Sequence, residues 1–471
     1  MAIGVPRKRT VLSTLAFPSE DMVLSYPGKT PLLQVLQTAP ASVRAIYRAG
    51  RTNGFYFGEN LRVLAHLMKD PEVCGKVRLV YIDPPFATQT VFHSRSLKHA
   101  YEDVLSGSRY IEFIRQRLIL LRELLAEDGS IYLHLDAKMV FHVKQILDEV
   151  FGAGSFRNCI TRKKCNPKNY TRKQFGNVAD YILFYTKTQN YIWNKPVEPW
   201  TEGRDREYRY IDEKSGRRFM KVPVHAPGVR NGETGKPWQG MVPPPGKHWQ
   251  YPPATLDEMD ARGEIYWSPN GNPRRKVFLD ESDGVGVQDI WMDFKDAHNQ
   301  NICITGYPTE KNPDLLARIV QASSNPGDLV LDCFSGSGTT LAVADELNRR
   351  WIGVDCSPEA FTTMLRRFHL GVAPMGDFVS TRKSKRTPPI PALFAEYETN
   401  NTLQVSTPKQ RKITNFALYS DAELEPLARV IALRCSLSDE DNGQALQLNQ
   451  LSNELPASTV QKAETPSSMT S

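Results

Sequence analysis

Between Phe55 and Phe151, short runs of β-branched and aromatic residues alternate with stretches whose apolar positions recur every three or four residues. That is the mark of successive βα units and a mostly parallel sheet. Val77 to Asp83 predicts a buried strand ending on an acid. Ile111, Ile114, Leu118, Leu121 and Leu125 line up as one apolar stripe, so Tyr110 to Leu125 predicts a helix, closed by the Asp128-Gly129 turn. Ser130 to Leu135 predicts the next strand. Val143, Ile146, Leu147 and Val150 then predict an amphipathic helix that stops at Phe151-Gly152.

The regularity fails between Thr186 and Gln300, where prolines, glycines and tryptophans mix with charges and Pro243 to Gly246 interrupts any long element. This stretch reads as an insertion. Order returns with a helix at Pro313 to Ser323, a strand at Asp328 to Cys333, a helix from Thr339 to about Asn348, a strand at Trp351 to Asp355 and a helix from Pro358 to His369. Beyond Gly376 the chain is basic and proline-rich, then dominated by Ser, Thr, Asn and Gln. That predicts a mostly disordered tail with one short helix near Leu424 to Leu433. The chain therefore divides into an N-terminal extension silent about function (1–50), a first α/β half (51–186), an inserted region (187–300), a second α/β half (301–378) and a basic linker with its tail (379–471).

Composition changes this picture in three ways. Of 471 residues, 40% are hydrophobic and 24% charged, and no stretch approaches the ~20 apolar residues of a membrane span. The N-terminus has no apolar run of the kind a secretory signal needs, so a cytoplasmic address without membrane contact is expected. Seven cysteines without a C-x-x-C pair suggest neither a disulfide framework nor a zinc site, and Cys159 and Cys165 lack companion ligands; no metal is expected. The net charge of +7 is concentrated: Arg157 to Asp280 holds 23 Lys and Arg against 13 Asp and Glu, while the remainder is net negative. A local surplus of this size suits a polyanion-facing surface.

Two motifs carry chemistry. Asp332-Cys333-Phe334-Ser335-Gly336-Ser337-Gly338-Thr339-Thr340 is a glycine turn between a strand and a helix, and Asp355 ends the following strand. Glycines there allow close approach of backbone amides to a ligand, and the second-strand acid can hold ribose hydroxyls, so a nucleoside-like ligand is implied. Leu341 occupies the place of the third glycine, which argues against a dinucleotide. The other motif is Asp83-Pro84-Pro85-Phe86, at the strand edge where open α/β sheets bind ligands. Two prolines remove amide donors and leave carbonyls as acceptors beside a carboxylate and an aromatic ring, a set suited to a planar group bearing an NH2.

These motifs, with Thr305-Gly306-Tyr307-Pro308-Thr309-Glu310-Lys311 and the segments FYFGENLRVLAHL, RLILLRELLAEDGSIYLHLD, VKQILDEVFG, ADYILFYTK and GVQDIWMDF, resemble the β-group DNA amino-methyltransferases. That family acts on adenine N6 or cytosine N4 and includes the modification subunits of type III restriction systems. The resemblance covers about Phe55 to Leu370. It departs from the family pattern at Cys333, Ser335, Asn312, Ala87 and Ala179. The resemblance implies a class I S-adenosylmethionine-dependent methyltransferase fold, Rossmann-like and circularly permuted, with an inserted target-recognition region. Phe334, Gly336, Gly338 and Thr340 would form the cofactor turn, Asp332 would face the methionine amine, Asp355 the ribose, and Thr309 and Lys311 the methionine carboxylate.

By the same resemblance, Asp83 and the Pro84 carbonyl would accept the hydrogens of a flipped base's amine. Pro85 would stiffen the motif, and Phe86, with Tyr181 and Phe184, would line the base pocket. Two basic clusters would meet DNA phosphates: Arg162, Lys163, Lys164, Lys168, Arg172 and Lys173, and Arg274, Arg275 and Lys276. Asp at position 83 resembles the adenine-N6 members. Cytosine-N4 methylation, a decayed DNA-binding subunit and a nicotinamide oxidoreductase are the rivals. DNA is the expected partner, and a homodimer or a restriction endonuclease subunit is compatible with the family.

Overall fold

The computed structural model describes residues 23–50, 53–85, 91–93, 99–102, 107–166, 173–198, 200, 205–282, 284–296, 303–307, 309–374 and 412–435. The chain separates into one unit formed by Met1–Asn194 with Asp289–Ser471 and another formed by Lys195–Gln288. The larger unit begins with β1 (Val43–Arg48), β2 (Gly54–Phe57), α1 (Asn60–Leu67), β3 (Val77–Ile82), α2 (Ser108–Leu124), β4 (Leu125–Leu135), α3 (Val140–Phe151), β5 (Phe156–Lys163) and β6 (Ala179–Thr186). It resumes with β7 (Ile290–Trp291), α4 (Pro313–Ser323), β8 (Leu329–Asp332), α5 (Thr339–Glu346), β9 (Arg350–Asp355), α6 (Pro358–Leu370), β10 (Ala417–Asp421) and α7 (Glu425–Arg434).

These strands form one sheet in the order β1-β10-β2-β9-β8-β3-β4-β6-β5-β7. The central β2, β9, β8, β3 and β4 are parallel, and β6 runs antiparallel to both β4 and β5. Strands late in the chain, β8 and β9, lie between the early strands β2 and β3, which is the circularly permuted α/β arrangement expected. Alternation divides the sheet residues between two faces. Val80, Ile82, Ile131 and Leu133 join one core with Leu64 of α1, Leu118 of α2 and Leu147 of α3. Tyr132 faces the other way, its hydroxyl 2.7 Å from Ser323 Oγ on α4. Helix starts follow local chemistry: Glu59 accepts from the amides of Leu61 and Arg62, and Asn312 and Ser357 cap α4 and α6, each with a proline at the first turn.

Element ends differ from the sequence expectation where backbone geometry intervenes. β4 is continuous with Leu125, because Asp128-Gly129 forms an irregularity in the β3–β4 register and regular pairing resumes at Ser130. α5 ends at Glu346, short of Asn348, whose φ of 61° is left-handed. The smaller unit is narrower than 187–300. Trp193 stacks on Phe184 at 5.8 Å and Asn194 donates to the Ala322 carbonyl at 2.8 Å, so this stretch stays with the sheet, and β7 pairs with β5. The smaller unit has its own core of Val224, Trp238, Trp249, Leu256, Met259 and Ile265.

The largest correction concerns the tail. Within the segment expected to be mostly disordered, β10 pairs antiparallel with β1 and parallel with β2, so an early and a late strand extend the sheet past β2. Phe416 is buried against Trp351 and Phe368, at ring distances of 6.0 and 5.5 Å. A five-residue strand whose partners lie hundreds of residues away has too little local periodicity to stand out beside polar, low-complexity neighbours. Truncating Phe416→Ala is expected to cost roughly 3–5 kcal/mol, as for other large buried aromatics, measured by chemical unfolding; a dispensable tail would give no change.

Candidate active site

Neighbouring parallel strands β3 and β8 send their crossovers in opposite directions across the sheet: α2 leads to β4, and α5 leads to β9. Such a switch point opens a crevice at the carboxyl ends of the two strands. Asp83 directly follows β3, Asp332 ends β8 and Asp355 ends β9, while Glu59 stands just beyond β2. Four adjacent strand tips therefore carry four acids along one edge. Asp332 is buried, and desolvation pushes its carboxyl up to about 7 against the opposing hydrogen bonds from Thr340 and the Phe334 amide; Asp83 and Asp355 add to the rise.

The glycine turn is held by its own polar groups. Phe334 N donates to Asp332 Oδ1 at 3.0 Å. Ser335 Oγ donates to the Asp332 carbonyl at 2.8 Å and accepts from Val354 N at 2.9 Å, so this serine ties β8 to β9. Gly336 N and Ser357 N donate to the two oxygens of Asp355 at 2.8 and 2.9 Å, partly offsetting the burial that raises its carboxyl. Gly338 has φ 75°, and a Cβ there would meet Met364 Cγ at 2.8 Å, so both backbone and space require glycine.

A supporting network missed by sequence reasoning lies beneath the turn. Asn60 Nδ2 donates to the Cys333 carbonyl at 2.8 Å, Arg117 Nε donates to Asn60 Oδ1 at 2.6 Å, and another Arg117 nitrogen donates to Glu59. The Arg117 guanidinium lies 3.5 Å from the ring centre of Phe113, whose ring is 5.9 Å from that of Phe334. A cavity of about 360 Å³ opens here, lined in part by Pro27, Glu59, Glu112, Phe113 and Arg117. The segment FYFGENLRVLAHL held the signal, since it puts Glu59 and Asn60 just beyond a strand end.

The 305–311 loop meets both motifs. Buried Glu310 pairs with Arg367 and accepts from Thr305 N and Oγ1 at 2.8 and 2.7 Å. Tyr307 packs against Gly336. Lys311 Nζ, the lysine assigned from sequence to a cofactor carboxylate, lies 2.8 Å from Asp83 Oδ2. Asp83 Oδ1 is buried and accepts no hydrogen bond among the described residues. Thr309 is half-buried, and Pro84 is buried with Pro85 partly so. Phe86 and Ala87 lie outside the described residues.

Several other assignments do not survive burial. Arg162 is buried and donates to Asp180, Asp296 and the Phe294 carbonyl, so it is no phosphate contact. Phe184 is stacked on Tyr132 at 4.3 Å in the sheet interior, not in a base pocket. Tyr181, half-buried, has its ring 6.4 Å from that of Phe141. Lys163 and Lys164 are half-buried and Lys173 exposed; Lys168 and Arg172 lie outside the described residues. In the smaller unit Arg274 is exposed, Arg275 donates to Tyr251, and Lys276 is paired with Asp212. Among the described residues no His, Cys, Asp and Glu group is arranged to hold a metal, and no helix is long and apolar enough to cross a membrane.

The model of a DNA methylase family, N6_N4_Mtase, matches residues 77–366, the stretch that contains both motifs and the switch point between them. The chain belongs to the DNA methylase family. It is 49% identical to the type II methyltransferase M.EcaI of Enterobacter cloacae over 374 residues, which are 78% of this chain and 82% of that protein. It is 26% identical to the type III restriction-modification enzyme StyLTI Mod subunit of Salmonella typhimurium over 345 residues, 63% of this chain and half of that protein's length. The M1.HpyAVI-SAM complex, covering 67% of this chain and 98% of that one, shows 15% identity and a TM-score of 0.37. S-adenosylmethionine is the cofactor of this DNA methylase family.

Asp332 has a raised folded-state pKa of about 7, against about 3.9 in an unfolded chain, so folding retains a proton between those values and stability falls as pH rises from about 4 to about 7. Asp332→Asn is therefore expected to melt several degrees higher than wild type at pH 8 and at the same temperature near pH 4, read by thermal unfolding across pH.

Proposed function

We propose that this DNA methylase transfers a methyl group from S-adenosylmethionine to the N6 amine of adenine in DNA. The observation that carries the reading is Asp83 at the switch point, one strand from the glycine turn, with Oδ2 on Lys311 and Oδ1 left to accept. An edge lined by Asp83, Asp332, Asp355 and Glu59 suits a cofactor bearing a sulfonium and an ammonium, both cations. Asp332 would take the ammonium, which would favour its ionised form, and Asp355 with the Gly336 turn would take the ribose. Thr309 remains the candidate for the methionine carboxylate, with Lys311 shared between that group and Asp83. When bound, the cofactor supplies an electrophilic methyl.

The protein's part is position and charge. An aromatic amine is a poor nucleophile because its lone pair is delocalised into the ring. Accepting its hydrogens at Asp83 Oδ1 and the Pro84 carbonyl favours a pyramidal nitrogen and directs the lone pair. The base must leave the duplex stack first, at a cost of a few kcal/mol. Asp rather than Ser at position 83 supports adenine over cytosine. The names of the relatives support a place in a restriction-modification system, with a homodimer or an endonuclease subunit as the partners to look for, and the family's reaction on DNA supports a cytoplasmic address.

DNA contact is assigned to the smaller unit's four-stranded sheet (Tyr210–Ile211, Arg218–Pro223, Ile265–Trp267, Pro273–Phe278). Its register puts Lys221 and Arg274 on one face together with Tyr210 and Tyr266. Lys221 Nζ lies 3.6 and 3.4 Å from the centres of the two tyrosine rings. Arg209, by a hydrogen bond, and then Lys221 and Arg274, by charge, lower the Tyr210 hydroxyl below its usual value, the signature of a positive field. Cations interleaved with rings suit phosphates and bases.

Incubation of wild type and Asp83→Ala with DNA and methyl-labelled S-adenosylmethionine, followed by digestion to nucleosides, tests the chemistry. Label in N6-methyladenine, reduced at least about a hundredfold in the variant, is expected. Label in methylcytosine replaces adenine by cytosine as the target, and absence of transfer overturns the enzymatic reading. For the smaller unit, Lys221→Ala with Arg274→Ala is expected to weaken DNA binding and to lower the slope of log affinity against log salt by roughly one for each phosphate that the variant no longer neutralises; unchanged slope and affinity remove this face from the interface.

A further inference from the structure

Residues 24–30 belong to the N-terminal extension that is silent about function in the sequence, yet they reach the anionic edge. Pro27 and Gly28 sit at the centre of a turn, with Lys29 N donating to the Tyr26 carbonyl at 3.4 Å and Gly28 at a φ of 82°. Proline followed by glycine is the pair that a turn of this kind requires. Both residues line the cavity of about 360 Å³ whose other walls include Glu59, Phe113 and Arg117.

The turn is fastened on each side to buried charges of two helices. Tyr26 Oη donates to Glu112 Oε2 on α2 at 2.6 Å, and Thr30 N donates to Glu112 Oε1 at 3.1 Å. Lys29 Nζ lies 2.7 Å from Glu149 Oε2 on α3, whose other oxygen accepts from Arg115 Nε at 2.9 Å. Arg115 Nη1 donates in turn to the Thr30 carbonyl at 3.0 Å. Glu112, Arg115 and Glu149 are all buried. Apolar side chains of equal volume usually hold a segment down at least as well as buried ion pairs, so stability alone does not account for this set. What directional bonds on both sides add is one fixed geometry for the turn between them.

Strand order indicates what the cavity receives. The ammonium of the cofactor is assigned to Asp332 at the tip of β8 and its ribose to Asp355 at the tip of β9. The next tip in the sheet is that of β2, where Gly58 N donates to the Asp355 carbonyl at 3.0 Å and Glu59 follows as a wall of the cavity. A nucleoside held at Asp355, with its methionine end toward Asp332, therefore has its purine on the cavity side. Phe113 connects the two, its ring 5.9 Å from that of Phe334 in the glycine turn. The volume is in the range of small-molecule sites.

We infer that residues 24–30 form a wall of the cofactor site on its purine side, with Tyr26 and Lys29 as positioning residues that lock the Pro27-Gly28 turn onto α2 and α3. They act through the turn and not by contact with the reacting atoms. The inference rests on the ribose assignment in the methyl-transfer reading. It adds that a segment outside the stretch matched by the family model, 77–366, completes the site. A wall ordered beforehand reduces what binding must immobilise, so its loss falls on cofactor affinity.

The test measures cofactor binding to the full chain by calorimetry, besides methyl transfer. Tyr26→Phe with Lys29→Met removes both anchors and is expected to raise the S-adenosylmethionine dissociation constant at least about tenfold. Methyl transfer is expected to fall by a similar factor at limiting cofactor and by less than about threefold at saturation, the split that separates binding from chemistry. Adenosine, which shares only the nucleoside, is expected to weaken as a competitor in the same proportion. Pro27→Gly frees the turn while leaving both anchors and is expected to raise the constant about threefold, so it decides the matter if the double variant does not fold. In wild type, saturating S-adenosylmethionine is expected to slow hydrogen exchange of the amides within residues 24–30. Unchanged affinity in the variants with a lower melting temperature alone, or exchange that the cofactor does not slow, overturns the wall in favour of a structural strap. Weaker S-adenosylmethionine with unchanged adenosine overturns the purine placement. Binding and exchange are read without DNA, so wild type that binds S-adenosylmethionine and methylates no adenine is a failure of the proposed function, whereas variants that match its cofactor affinity are a failure of this inference.

Discussion

The opposite departure of two crossovers from adjacent strands is the constraint on which the site depends. Because α2 and α5 leave β3 and β8 toward different strands, neither of these helices covers the tips between them. A right-handed crossover rule makes this opening a consequence of strand order. The order itself requires that β8 and β9, late in the chain, enter between β2 and β3. The gap left for them can be filled only by strands buried on both faces, and β8 is accordingly apolar from Leu329 to Leu331.

Placing carboxylates on neighbouring tips sets up mutual repulsion, and the structure answers it differently at each. Asp83 has Lys311, Asp355 has two backbone amides, Glu59 has Arg117 and the cap of its own helix, and Asp332, the most buried, has its carboxyl raised to about 7. The edge is therefore anionic but incompletely compensated. A ligand with two cationic centres, as S-adenosylmethionine has in its sulfonium and ammonium, would add to the compensation, so the same electrostatics that strain the protein alone would favour its cofactor.

Rigidity around this edge comes from several hydrogen-bonded buried polar groups. Asn60 and Arg117 fasten the Cys333 carbonyl, Ser335 bridges two strands, and Glu310 with Arg367 fixes the loop that brings Lys311 to Asp83. The departures from the family pattern at Ser335 and Asn312 fall in this shell. Ser335 supplies a hydroxyl that both donates and accepts, and Asn312 caps α4 while donating to the Lys295 carbonyl. An aromatic group of Tyr47, Trp351, Phe368 and Phe416 packs β1 and the residue before β10 against β9 and α6.

What the sequence determined by itself was local or motif-borne. Strand and helix periods between Phe55 and Phe151 and between Pro313 and His369, the glycine turn, the acids at the strand ends and the resemblance to a methylase family were all legible, because each is written within a few tens of residues. Tertiary structure decided what depends on distant partners. The basic run that includes Arg162 reads as a surface, yet Arg162 is buried because Asp180 and Asp296, remote in sequence, meet it across strands. Phe184 reads as a pocket wall until Tyr132 stacks on it. Nothing in the sequence says that Lys311 meets Asp83, which the fold decides, and the β10 strand reads as tail until β1 and β2 pair with it. Charge and aromaticity are properties of a residue, whereas burial and pairing are properties of a place, and only folding assigns the place.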